Sequence, residues 1–309
     1  MSESTIATED EVLPPLRPRS APSKALRAVG STLRGVMRTR HGSIGLVLLA
    51  ALTLLALLSP WIAPFAPAQQ MPKSLAPPSA AYLFGTDNVG RDIFSLVLHG
   101  TRASLAIGFG AAFAALFVGG AVGILAGYFR GWVETVLMRV TELFQTLPVV
   151  MFVLFAVAMF GSSFWLLIAA VTLAIWPAEA RLVYGQYIKL RERDFVAAAR
   201  VNDLSTWHIV MREILPNAMQ PVIVQVALDA SIAILLEAGL GFLGLSDPNM
   251  VSWGQLLFNA QEFMDQAWWM SVFPGAAICL AVIAFNLFAD GLNEMHDTRR
   301  RGLAGGLEH

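Results

Sequence analysis

Four stretches of this chain carry no charged residue: Gly42 to Pro72, Ala103 to Phe129, Leu143 to Ala178 and Gln266 to Ala289. A helix needs about 20 consecutive apolar residues to cross the hydrocarbon of a bilayer. In that solvent every backbone polar group must be satisfied inside a helix or a closed barrel, so runs of this length dictate spanning helices. The third run is long enough for two crossings, and Gly161-Ser162-Ser163 supplies the break between them. A further apolar run, Pro221 to Leu245, is interrupted only by Asp229 and Glu237. The expected fold class is therefore an all-α polytopic membrane protein. Its six transmembrane helices are expected at about 44–62, 103–128, 135–160, 164–184, 221–245 and 270–291. Composition agrees: apolar residues are 56% and charged residues 14% of the chain, against about 45–50% and 25% in soluble domains.

Basic residues orient the bundle. Seven of the 21 Lys and Arg (Arg17, Arg19, Lys24, Arg27, Arg34, Arg38 and Arg40) precede the first span, which predicts a cytosolic N-terminus. Six crossings return the C-terminus to the same side, where Arg299-Arg300-Arg301 lies. Lys189, Arg191, Arg193, Arg200 and Arg212 fall in the loop between the fourth and fifth spans, and only Lys73, Arg91 and Arg102 are expected outside. The resulting organisation is a disordered basic arm (1–40), a first span with an external segment (41–100), a core (101–292) with a cytosolic loop at 185–217, and a cytosolic tail (293–309). The net charge of −1 hides this asymmetry and implies no nucleic-acid partner.

Catalytic and metal chemistry find no foothold. Histidines 41, 99, 208, 296 and 309 lie outside the spans or at their ends, and no two have metal-ligand spacing. None of the three lysines follows a glycine-rich phosphate-binding turn. The single cysteine, Cys279, cannot form an internal disulfide and is expected to be a small apolar packer.

The cytosolic loop reads as a helix–turn–helix. Asp194 is expected to cap the first helix, with Phe195, Ala198 and Ala199 on one face. Asn202-Asp203 suits a tight turn, and Ser205 restarts a helix whose Trp207, Ile209, Val210 and Ile214 can face a partner until Pro216 stops it. A segment of this kind can also lie on lipid headgroups. Within the spans, Gly119, Gly123 and Gly127 form a small-residue face for close contact with a helix of this chain or of a partner, and Pro148, Pro177 and Pro274 are expected to bend their helices. Glu142 and Glu179 are expected to pair with Arg139 and Arg181 near the cytosolic face. For Asp229 two readings stand side by side, a group lining a translocation route and a buried hydrogen bond. Glu237 opens the run to Leu245, whose glycines favour close contact and then a loosened helix end.

The loop from Asp194 to Asn217 resembles the EAA loop of membrane subunits of ATP-binding-cassette importers, with Ala197 where that family usually has Glu and Asp203 where it usually has Gly. Phe84 to Asp92 and Gly100 to Ser104 resemble the external segment before the second span in the second permease of dipeptide, oligopeptide and nickel importers. On its own residues this segment reads as an outer helix starting near Asp87 and ended by Gly100. Gly127 to Trp132, Glu237 to Leu245, Trp253-Gly254, Phe273 to Gly275 and Phe285 to Leu292 extend the resemblance to about 84–297.

The resemblance implies a type I importer permease fold in a bacterial plasma membrane. It also implies a homologous second permease, two ATPase subunits and an external binding protein as partners, with membrane lipid around the spans. No cofactor is expected on this chain, ATP and Mg being held by the ATPases, and the chain itself is expected to be non-catalytic. In that picture Asp194, Ala197, Ala198 and Ala199 brace a coupling helix, and Asp203 forms the turn. The coupling helix runs from about Ser205 through Ile214 to Leu215, with Trp207, His208 and Ile209 touching the ATPase and Pro216 fixing where the loop meets the fifth span. The expected cargo is a di- or oligopeptide. A nickel chelate or other small solute, and a stand-alone secondary transporter, are the alternatives.

Overall fold

A computed structural model describes residues 34–305, with side chains placed through Met295. The expected N-terminal arm therefore lies almost wholly outside the described residues, as do 306–309. Helix α1 (Arg40–Ile62) starts at Thr39, whose hydroxyl accepts from the Gly42 amide at 3.2 Å. Gly42 and Gly45 let it cross closely over α9 (Trp269–Gly305) at Gly291 and the Leu287–Phe288 backbone.

Helix α2 (Ile93–Phe129) runs unbroken for 37 residues. The expected separate outer helix from Asp87 to Gly100 does not form. Asp92 is the cap instead, its Oδ2 accepting from the amide and the hydroxyl of Ser95, each at 2.8 Å. Gly100 is used for closeness rather than termination, since a Cβ there would lie 3.0 Å from the indole of Trp253. Further along α2, Gly119, Gly123 and Gly127 seat it against α5 (Phe164–Arg191). Added Cβ atoms would sit 2.7, 2.7 and 2.6 Å from the Cβ atoms of Glu179, Val183 and Tyr187. The glycine face thus packs inside the chain, against the fourth span.

The third span is two pieces, α3 (Trp132–Thr146) and α4 (Val149–Phe160), meeting at 86°. Pro148 explains the break: it has no N–H to donate and pushes Leu147 into an extended conformation, observed at φ −81° and ψ 131°. With this broken pair counted as one, the bundle has six apolar crossings among the described residues, five of them continuous helices. Gly161, at φ +91°, turns the chain into α5, which Ser163 caps through the Leu166 amide at 3.4 Å.

Helix α6 (Asp194–Val201) and α7 (Thr206–Phe242) follow. Pro216 does not stop α7. Just before it, Ile209–Ile214 forms a π turn in which the Leu215 amide donates to Val210 rather than to Met211. Widening the helix by one residue relieves the clash between a proline ring and the carbonyl four residues back, so the helix continues into the fifth span.

At the far end of α7 the glycine run performs both expected jobs: Gly241 abuts Gly254 of α8 (Trp253–Ala260), and Gly244 turns the chain at φ +78°. Cys279 is exposed on α9, so the packing role expected of it is not its position.

Candidate functional site

The two faces of the bundle are built differently. At one, α5 ends in Arg191, α6 lies across the end, and α7 re-enters. Arg193, not Asp194, is the N-cap of α6, because its backbone is extended and Asp194 is already helical; it makes no side-chain cap bond, since a guanidinium has no acceptor. Asp194 instead places a carboxylate in the first turn, where it complements the helix dipole. Asp203 takes the left-handed conformation at φ +52°, and Ser205 caps α7 by accepting from the His208 amide at 3.3 Å. His208 and Glu213 approach at 3.5 Å one turn on.

Most of the loop's apolar side chains turn inward. Val196, Ala199, Ile209, Val210 and Ile214 join Val183 and Tyr187 of α5 and Ala218 and Val222 of α7 in one buried cluster. Polar contacts fasten the same junction. The Tyr187 hydroxyl donates to the Val210 carbonyl at 3.2 Å, and Arg191 Nη1 donates to the Tyr128 carbonyl at 2.5 Å. Arg130 and Glu192 pair at 3.3 Å. The loop is thus fixed to the spans on either side of it.

This corrects the sequence reading of the outward face. Ile209, Val210 and Ile214 cannot face a partner, because the bundle occupies that side of the helix. Ala197 and Ala198 are exposed rather than bracing, and Leu215 is half-buried. The exposed apolar side chains are Trp207 (72%) and Val201 (84%), with Phe195 and Leu204 each more than a third exposed. Val201 and Leu204 escaped the sequence reading. Their signal was available: they flank a turn, outside the helical spacing that buries Val196 and Ala199.

The carboxyls sort differently from expectation. Arg139 and Glu142 pair at 2.8 Å on an exposed surface. Glu179 does not pair with Arg181. It points into the interface with α7, fully buried, while Arg181 two residues on is exposed. Asp229 is buried as well and accepts from the Gln225 amide of its own helix at 2.8 Å. Glu237 is buried too, accepting from the Ser104 hydroxyl at 3.1 Å.

At the opposite face the segment from Phe84 to Asp92 is a compact clasp. Asp87 Oδ1 accepts from the amides of Val89 and Arg91 at 3.0 and 2.7 Å, and its Oδ2 from Arg91 Nε at 2.7 Å. Phe84 stacks on Phe273 at 3.9 Å, and the indole N–H groups of Trp269 and Trp253 reach the carbonyls of Thr86 and Val97, each at 3.1 Å. The segment ties the start of α2 to α8 and α9. Among the described residues, no three His, Cys, Asp or Glu side chains converge as a metal site.

Residues 119–302 match the family of binding-protein-dependent transport system inner membrane components, and 33–78 match the N-terminal transmembrane domain of oligopeptide transport permease C. A putative peptide transport system permease of Brucella suis is 38% identical over 282 residues, 91% of this chain and 95% of that one. A dipeptide transport system permease of Alkalihalophilus pseudofirmus is 35% identical over 84% of this chain and 86% of its own. A probable D,D-dipeptide transport system permease of Escherichia coli is 34% identical over 91% and 95%. Among solved structures, a chain of the MetNI methionine ABC transporter in inward-facing conformations superposes with a TM-score of 0.54, covering 66% of this chain and 97% of that one at 18% identity. That likeness establishes the type I importer permease fold.

Proposed function

Because the chain belongs to the inner membrane components of binding-protein-dependent transport systems, we propose that it forms half of the translocation pore of an ATP-driven peptide importer. A homologous permease supplies the other half, two ATPase subunits bind ATP and Mg, and an extracytoplasmic binding protein delivers the peptide. The names borne by its relatives support a peptide rather than a nickel chelate. The chain acts without catalysing hydrolysis. Its basic loop end faces the cytosol, as do both termini, in a bacterial inner membrane.

The observation that carries this reading is a large indole exposed on a loop whose other side is packed onto the spans: Trp207 is exposed while Ile209, two residues on, is buried. A cytosolic segment fixed to two spans, with Trp207, Val201 and parts of Phe195 and Leu204 exposed, transmits force if a partner covers those side chains. ATP then biases the bundle between inward-open and outward-open states by binding them with different affinity. Reconstitution tests this. Vesicles holding this chain with a homologous permease, the ATPases and binding protein should accumulate peptide only with ATP, and uptake by this chain alone would refute the proposal.

A further inference from the structure

Glu179 of α5 and Asp229 of α7 are both buried where these two spans pack, within electrostatic reach of one another. Both oxygens of Glu179 and Oδ2 of Asp229 are buried without a hydrogen-bond partner, as is the indole N–H of Trp176 one turn before Glu179, and among the described residues the one hydrogen bond either carboxyl accepts is from the Gln225 amide to Asp229 Oδ1 at 2.8 Å. Among the described residues, no base neutralises the pair. From α2 comes Gly119, whose backbone lies against Glu179. On α5 the nearest base, Arg181, is exposed. Helix α7 has no Lys or Arg beyond Arg212, and α9 has none before Arg299. On α3, Arg139 is engaged with Glu142 at the surface, and Glu134 accepts from the Tyr184 hydroxyl.

Two carboxylates side by side, out of water and without a cation, repel one another and forfeit their hydration. One proton resolves both difficulties, because a protonated carboxyl becomes a donor to its neighbour. We propose that Glu179 and Asp229 hold a single proton between them, Glu179 as the acid and Asp229 as the acceptor, forming a latch across the α5–α7 interface. Its position gives it a role. Helix α5 enters the cytosolic loop and α7 leaves it, so a bond between them makes the two helices move together when the loop is displaced. Parting them would leave a buried acid and a buried carboxylate each without a partner. The role in coupling rests on the proposed function; the shared proton does not.

Infrared spectroscopy of the whole importer complex in lipid nanodiscs at neutral pH separates the two. The difference spectrum between the unsubstituted complex and Glu179→Gln should contain a protonated-carboxyl C=O band, with Glu237 cancelling because it is present in both. In Asp229→Asn that band should remain but shift, its acceptor having changed. Absence of the band would overturn the shared proton. In the transport assay Glu179→Gln, which still donates, should stay within about twofold of the unsubstituted complex, whereas Glu179→Ala should lose about tenfold or more. Equal transport by both variants would overturn the role in coupling while leaving the band intact.

Discussion

Removing the indole of Trp207 should weaken ATPase docking without weakening the permease. A buried aromatic side chain covers up to about 250 Å². With 72% of Trp207 exposed in this chain, about 180 Å² is available to a partner. At about 25 cal/mol per Å² that area is worth about 4.5 kcal/mol, and fixing the side chain costs about 1 kcal/mol. The remainder of about 3.5 kcal/mol corresponds to an affinity loss of about three hundredfold for Trp207→Ala. Because Trp207 contributes little to the buried cluster, the permease itself should change by no more than about 0.5 kcal/mol. Ile209→Ala is the matched control. That side chain is 2% exposed, and its truncation should cost about 2–4 kcal/mol of permease stability. The assay is titration of the ATPase onto the permease pair in nanodiscs, with the thermal unfolding midpoint of each variant measured alongside. If Trp207→Ala binds within about threefold of the unsubstituted pair, or if Ile209→Ala loses binding at an unchanged midpoint, the assignment of inward and outward faces is wrong.

Gly123→Leu should abolish or sharply reduce the yield of folded protein, because the first added carbon already meets Val183 Cβ at 2.7 Å and the opposing backbone cannot retreat; normal yield in a detergent-resistant fold would refute the α2–α5 contact. Membrane orientation is open to a labelling test in a Cys279→Ala background. Val201→Cys should react with an impermeant maleimide only from the cytosolic side and Val89→Cys only from the other, and the reverse pattern would invert the proposed topology.

The spans were legible in the sequence because lipid imposes a length and a composition on each crossing, and uncharged runs such as Ala103 to Phe129 admit few other readings. The clasp and the loop were harder. Asp87 and Asp92 stand five residues apart with the same capacity to cap a helix. The choice between them depends on Asp87 being consumed by Val89 and Arg91, a tertiary arrangement that local propensity does not encode. Pro216 reads as a stop by every local rule, and only the π turn before it shows how the helix passes through. For Ile209, Val210 and Ile214, apolar spacing revealed a face but not its occupant, since a helix buried against its own bundle and one awaiting a partner share one pattern. Glu179 was misassigned because proximity in sequence placed it beside Arg181, while two residues along a helix point about 200° apart.

One consequence follows from the continuity of α7. At 37 residues it is a rod of about 55 Å. Pivoted at its centre by ten degrees, such a lever sweeps each tip through about 5 Å. A modest displacement of Trp207 by a docked partner would therefore be delivered at undiminished size to the opposite end of the helix, at Leu243.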